Sequence, residues 1–366
     1  MYQQRFEAIQ QWLRANAVAA GLVTAPVSMK YLTGWSNPSK RFSGLVIPAT
    51  GDPVLVVPTL EIHEARNAAV SDVRNWSDGE NPYALLARVL AGAGSVAVEK
   101  EALPLFVYER MAEGLGADPG ALLAKVGDLT PVLSAMREAK SAEEIALMQR
   151  AADIVNPALD AAMKAIRPGI TEKQLASIME EAMHQAGAQG LAFETHVLFG
   201  AKAALPHGAT GDQVLQPGQV VLMDFGAMVG GYRSDITRTV CCGEWPPEMA
   251  RVYETVLAAN QAAIAAVKPG VPLGEVDRAA RRVIEEAGYG EFFLHRTGHG
   301  LGLEVHEEPY VVAGNQKLCK PGHVVTIEPG IYLPGVGGVR IEDDVVVTEE
   351  GCRVLTTWTR ERLSVG

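Results

Sequence analysis

The sequence predicts an α+β protein of two domains, the second built from two copies of one helix-helix-strand unit about a shared axis. Three observations carry this. The chain has 366 residues, more than one hydrophobic core usually serves. A strong helix-start signal at Ser141 divides it. Beyond that point the chain repeats itself.

In residues 1–130, short apolar strands alternate with helical patterns. FSGLVIPA and DPVLVVP flank a Gly51-Asp52 turn, and YALLARVLAG and LFVYERMAEGL carry helical spacing. This part is expected to be an α/β domain. Ser141 and Glu144 form a Ser-x-x-Glu capping box that opens a long helix, and residues 131–366 are expected to form the second domain.

Within that second part, Pro217-Gly218-Gln-Val220-Val221-Leu-Met223-Asp224-Phe-Gly226 aligns with Pro321-Gly322-His-Val324-Val325-Thr-Ile327-Glu328-Pro-Gly330. Gly231-Tyr-Arg233-Ser-Asp235 aligns with Gly338-Val-Arg340-Ile-Glu342, and Pro168-Gly169 with Pro269-Gly270. Two copies make one domain with a pseudo-twofold axis rather than a solenoid, and equivalent residues then face one central cleft.

Bulk composition narrows the function. A formal charge of −11 argues against phosphate-collecting surfaces, so nucleic acid is not an expected partner. The amphipathic start MYQQRFEAIQQWLRAN lacks the apolar core of a signal peptide, and no apolar run reaches membrane-spanning length. A cytoplasmic protein with no membrane partner is the expectation. The four cysteines, Cys241, Cys242, Cys319 and Cys352, form no CxxC pair, and the adjacent two read as buried small hydrophobes in a strand.

The repeat places acids at equivalent positions, Asp224 with Glu328 and Asp235 with Glu342. Inside VVLMDFG and VVTIEPG an acid is a poor strand former, yet strand alternation puts Asp224 on the face of Leu222, opposite Val221, Met223 and Phe225. Four carboxylates at one axis repel and cannot all ionise unless cations compensate them, so bound divalent metals are expected. His295, His299 and His306 fall in one short glycine-rich run, and His207-Gly208 lies in the first copy.

These residues sit in ALPHG, MDFG followed by YRSDITRT, RTGHGLGLEVHEEP, TIEPGIY and GVRIEDD. In this order they resemble the motif set of the prolidase and aminopeptidase P group of pita-bread metallopeptidases, spanning the second domain almost end to end. The first domain resembles, more weakly, the creatinase-type amino-terminal domain of that group. The resemblance implies that Asp224 chelates one metal, Asp235 and Glu342 bridge two, and His299 and Glu328 hold the other. It also implies that Glu328 is the proton acceptor.

An oxygen-rich set with one imidazole suits two divalent ions, Mn²⁺ first, with Co²⁺, Zn²⁺ or Fe²⁺ able to occupy it. His207 and His306 are the candidates to stabilise the gem-diolate and hold the substrate carbonyl. His295 is read either as a substrate contact or as a supporting group. Arg340 either binds a prolyl carboxylate or bridges to a ligand carboxylate. Arg41, in the Gly34–Phe42 loop, is either a gate against longer peptides or a solvated basic residue or dimer contact. Tyr232 and Thr237 are expected to support the site, and Trp35, Trp245 and Trp358 to pack.

The activity expected from these readings is cleavage of the Xaa-Pro bond in dipeptides, that is, prolidase. Proline-containing di- or short peptides are the expected partners and a homodimer the expected assembly. Xaa-Pro aminopeptidase activity on longer peptides is the rival, and a noncatalytic binding protein on the same scaffold a weaker one.

Overall fold

A computed structural model describes residues 1–120 and 126–366. It divides into two compact units, Met1–Arg137 and Glu138–Gly366. The boundary thus lies beyond the residue 130 read from the sequence. The reason is local: Thr130–Glu138 forms a short helix whose Leu133 is buried, next to buried Leu129, and this helix closes the first unit. The sequence reading had assigned residues 131 onward to the second domain.

The first unit holds helices α1 (Tyr2–Ala15), α2 (Pro26–Thr33), α3 (Ile62–Ala65), α4 (Pro82–Val89), α5 (Leu105–Gly114) and α6 (Thr130–Glu138). Its strands are β1 (Ala20–Val23), β2 (Gly44–Pro48), β3 (Val54–Pro58), β4 (Asp72–Trp76), β5 (Val96–Val98) and β6 (Gly127–Asp128), ordered β4-β3-β2-β1-β5-β6. The Gly51-Asp52 turn read from the sequence joins β2 to β3 as an antiparallel pair, while β1 runs parallel to β5. Leu22, Val46, Val96 and Val98 enter a core with Leu86, Leu90 and Met111 of the helical segments.

In the second unit, α7 (Ala142–Ala165) begins at the capping box foreseen: Glu144 N–H donates to Ser141 Oγ, and Ser141 N–H to the Glu144 carboxylate. Helix α8 (Glu172–Gln185) starts at a second box, Thr171 with Gln174. Strands β7 (Gly190–Leu191), β8 (His196–Phe199), β9 (Val220–Phe225), β10 (Ala227–Val229), β11 (Tyr232–Arg233) and β12 (Ile236–Cys242) complete the first copy. The second copy has α9 (Pro247–Ala266), α10 (Leu273–Glu286), β13 (Gly298–Gly300), β14 (Glu307–Val311), β15 (Val324–Ile327), β16 (Gly330–Leu333), β17 (Gly337–Arg340), β18 (Asp343–Val347) and β19 (Cys352–Val354). A last strand, β20 (Ser364–Val365), returns to pair with β12.

The repeat is visible in the hydrogen bonds. Gly169 N–H donates to Leu215 O, and Gly270 N–H to Cys319 O; Leu215 N–H returns to Ile170 O, and Cys319 N–H to Val271 O. Antiparallel β8-β9-β12 matches β13-β15-β18, and hairpin β10-β11 matches β16-β17.

Strand β9 is buried on both faces. Val221, Met223 and Phe225 pack with Val155, Leu159 and Met179 of α7 and α8, while Val220 and Leu222 join Val252, Val256 and Val276 of α9 and α10. Alternation therefore directs Asp224 to the side shared with the second copy. Cys241 and Cys242 are buried free thiols of β12, as read. Among the described residues, no helix is long and apolar enough to cross a membrane.

The copies are locked together by Arg238, which is 1% exposed in the middle of β12. It donates to Asp343 Oδ1 at 2.7 Å and to the carbonyls of Glu342 at 2.6 Å, Trp358 at 2.9 Å and Thr359 at 2.9 Å. Asp343 also receives Arg360 at 2.6 Å and Asn260 at 3.2 Å. Burial raises the Asp343 pKa, but the two guanidiniums outweigh it and hold the carboxyl below its ordinary value. Removing one partner of a buried, hydrogen-bonded pair costs more than the pair contributes, because the remaining groups lose their compensation. Arg238→Met is therefore expected to destabilise the protein by about 3–5 kcal/mol, read by denaturant unfolding; a loss below ~1 kcal/mol would show that the network contributes little.

Candidate metal centre

The strand ends of the two copies deliver the predicted acids to one place. Asp224 lies near the end of β9 and Asp235 just before β12; Glu328 follows β15 and Glu342 precedes β18. Asp235 and Glu342 are 4% and 2% exposed. Ligand atoms of Asp235, His299 and Glu342 all lie within 4.8 Å of one another, a spacing able to hold a metal ion. Asp224 and Glu328 flank them at the less buried edge.

His299 enters on β13, where the pairing with β14 shifts register between Gly298 and Gly300. Such a bulge re-aims the side chain at its centre. The two glycines are required by space: a Cβ on Gly298 would stand 1.8 Å from Thr326 O, and one on Gly300 2.4 Å from Glu308 O. The His299 Nδ1–H donates to Gly300 O at 3.0 Å, so Nε2 carries the lone pair. That lone pair faces Glu328 Oε1 at 3.4 Å and Asp235 Oδ2 at 3.8 Å. Burial, then the neighbouring His306 ring, push its pKa down to about 3, so no proton relieves the repulsion.

The acids are strained in the same sense. Burial, then Glu342 and Asp224, hold Asp235 well above the ordinary carboxylate range. Burial, then Glu328 and Asp224, do the same to Glu342. Glu328 is raised to about 7 by burial, with Arg340 opposing and Asp224 adding to the rise. Asp224 Oδ1 is buried with no hydrogen-bond partner among the described residues. A neutral imidazole lone pair, crowded carboxylates and an orphaned carboxylate oxygen are what divalent cations would satisfy, so the residues present fit a metal centre.

Among the described residues, Arg340 is the cation that ion-pairs with these acids. Arg340, 6% exposed at the end of β17, ion-pairs with Asp224 and donates to Thr237 Oγ1 at 2.9 Å and Tyr332 Oη at 2.9 Å. Burial alone would lower its pKa, but Tyr332, Asp224 and Glu342 more than reverse this. The ion pair with Asp224 is the contact that one of the two roles read for Arg340 calls for. Thr237 donates to Glu342 Oε2 at 2.5 Å.

His295 donates from Nδ1 to Arg296 O at 2.7 Å, and its Nε2 accepts from Tyr332 Oη at 2.8 Å. Burial, then Arg340, lower its pKa to about 4. It is thus tied into the Arg340–Tyr332 chain. His306 lies edge-on to His299, ring centroids 4.2 Å apart, and is exposed along part of its ring. Partial burial, then the Arg296 cation, lower its pKa. His207 is exposed at the third position of a turn closed by Gly208 N–H to Leu205 O at 2.9 Å, with Pro206 setting the second position. His207 contributes in part to the lowered pKa values of His295 and His306.

Two further residues read from the sequence have these partners. Tyr232 is buried, and its hydroxyl donates to Glu144, the capping-box residue of α7, so it fastens that helix to β11. Arg41 pairs with Asp78 inside the first unit. Trp35 is buried, Trp245 packs edge-on against Tyr253 and Trp358 donates to Asp160 Oδ1. Tyr332, Arg238 and Arg296 were not singled out from sequence. An arginine inside the apolar strand ITRTVCC was the signal available for Arg238.

A two-domain chain whose repeated α+β unit gathers paired acids and one imidazole at its axis defines a metallohydrolase of the pita-bread kind. The chain belongs to metallopeptidase family M24, whose family model matches residues 146–349; residues 5–139 match the creatinase/prolidase N-terminal domain. The YkvY protein of Bacillus subtilis is 39% identical over 363 residues, covering 98% of each chain. Among solved structures, an Xaa-Pro dipeptidase from Bacillus anthracis superposes with a TM-score of 0.93 at 30% identity and 100% coverage of both chains. An X-Pro aminopeptidase from Thermotoga maritima gives 0.86 at 35% identity, covering 95% of this chain and 98% of that one.

Ions that bind only the folded site stabilise it by mass action, about 2.7 kcal/mol at one hundred times the dissociation constant. Adding Mn²⁺ to chelator-treated protein is expected to raise the melting temperature, and His299→Ala to abolish most of that rise and of the metal retained on dialysis. An equal rise in the variant would remove His299 from the ligand set.

Proposed function

We propose that this chain hydrolyses the Xaa-Pro bond of proline-containing dipeptides, using two divalent metal ions, with Mn²⁺ first among the candidates. The observation that carries the reading is the crowded set of four carboxylates and one lone-pair imidazole, in which Arg340 ion-pairs with Asp224 and Glu342. The negative charge exceeds what that guanidinium offsets, and divalent cations would supply the remainder.

In this reading Asp224, Asp235, His299, Glu328 and Glu342 hold the ions. When bound, such ions lower the pKa of a water held between them and polarise the scissile carbonyl. Glu328 takes the proton of the attacking water and passes it to the proline nitrogen as the C–N bond breaks. His207 and His306 donate to the carbonyl oxygen as it becomes negative. Arg340 orients Asp224 through their ion pair, and Tyr332 and His295 extend that brace.

The preference for dipeptides rests on likeness to the Bacillus anthracis enzyme, which is named as an Xaa-Pro dipeptidase. A second reading, Xaa-Pro aminopeptidase action on longer peptides, is favoured by likeness to the Thermotoga maritima structure. A noncatalytic role fits poorly with a complete acid set. Cytoplasmic residence and a homodimer remain part of the proposal.

One Xaa-Pro dipeptide and the same peptide extended by a residue separate the two activities. Prolidase cleaves the first in Mn²⁺, loses activity on chelation and leaves the second largely intact; equal cleavage of both would assign aminopeptidase P. If Arg41 gates the site, Arg41→Ala relaxes the preference for the shorter peptide. An unchanged ratio assigns Arg41 to its Asp78 pair alone.

A further inference from the structure

His207 is exposed, and its place depends on the backbone of the loop that carries it. That loop leaves β8 at Phe199, passes through Gly200–Ala204 as a 3-10 turn, makes the Leu205–Gly208 turn and returns at Gly211. Both its ends converge on one side chain. Glu172, 0% exposed at the first position of α8, accepts Phe199 N–H at Oε1 (3.0 Å), and Gly211 N–H (2.8 Å) and Lys202 Nζ (2.5 Å) at Oε2. The backbone of α8 adds Glu172 N–H to Gln213 O and Lys173 N–H to Gly211 O, both at 3.1 Å.

The repeat sharpens the point. Pro168-Gly169 and Pro269-Gly270 are equivalent, and Glu172 then corresponds to Leu273, which is also 0% exposed. The second copy starts its helix at that position with an apolar residue in the core, so the fold does not need a charge there. The carboxylate appears only in the copy whose following loop carries His207. Burying a carboxylate is costly unless its oxygens are filled, and here both are filled by the loop's own donors.

We propose that Glu172 is a positioning residue for the hydrolysis: it clasps both ends of the Phe199–Gly211 loop and so fixes His207 over the scissile carbonyl. The inference rests on the role given above to His207. It adds that this role depends on a carboxylate in the first turn of α8.

The test is a double-mutant cycle with Xaa-Pro dipeptide as substrate. Glu172→Gln keeps one acceptor for Phe199 N–H but sets an amide against Gly211 N–H or Lys202. A misplacement on the order of 1 Å costs about 100-fold in rate, so kcat is expected to fall about 10- to 100-fold with KM little changed. In a His207→Ala background the same substitution is expected to lower kcat less than about threefold. An equal loss in both backgrounds would overturn the proposal and assign Glu172 to general stability.

Lys202→Met keeps both backbone bonds to Glu172. It supplies the cycle should Glu172→Gln fail to fold, with a smaller loss that must again vanish without His207. Amide exchange over residues 199–211 gives a readout independent of turnover. It is expected to quicken in Glu172→Gln while β9 stays protected; unchanged exchange would refute the clasp. If His207→Ala alone leaves kcat intact, the role given to His207 fails, and the exchange data still decide whether Glu172 orders the loop.

Discussion

Crowding of like charges at the junction of the two copies is the constraint around which the second unit is organised. Asp224, Asp235, Glu328 and Glu342 arrive from four strand ends, and an imidazole is held with its lone pair toward them. No arrangement of protons satisfies the set well, since each carboxyl is desolvated and the imidazole is held neutral. A site of this kind is tolerated only where the surrounding structure over-determines it. The over-determination is visible in what stands behind the acids: Arg340 with Thr237 and Tyr332 on one side, Arg238 with Asp343 and Arg360 on the other.

Much of this was legible before any coordinates. The alignments of VVLMDFG with VVTIEPG and of GYRSD with GVRIE located the four acids, and alternation in β9 gave the side on which Asp224 emerges. The capping box at Ser141 marked the start of α7 because two complementary side chains at fixed spacing have one local solution. Local chemistry of this kind survives into the fold unchanged.

What was not legible was long-range. Tyr232 and Arg41 were singled out from their neighbours in sequence, whereas the partners each meets in the fold, Glu144 and Asp78, are distant along the chain, and spacing does not reveal them. The ion pair of Arg340 with Asp224 likewise joins residues 116 positions apart. The helix Thr130–Glu138 was placed with the second domain because its attachment is decided by tertiary packing, with Leu133 buried in the first unit, and propensity does not decide what packing decides.

The Arg238 network also bears on truncation. Its acceptors include the carbonyls of Trp358 and Thr359, and Arg360 completes the shell of Asp343, the residue beside Glu342. A product cut before residue 358 would keep all four acids and His299 but lose three of the groups that fill the hydrogen-bonding positions of the buried Arg238–Asp343 pair beside them.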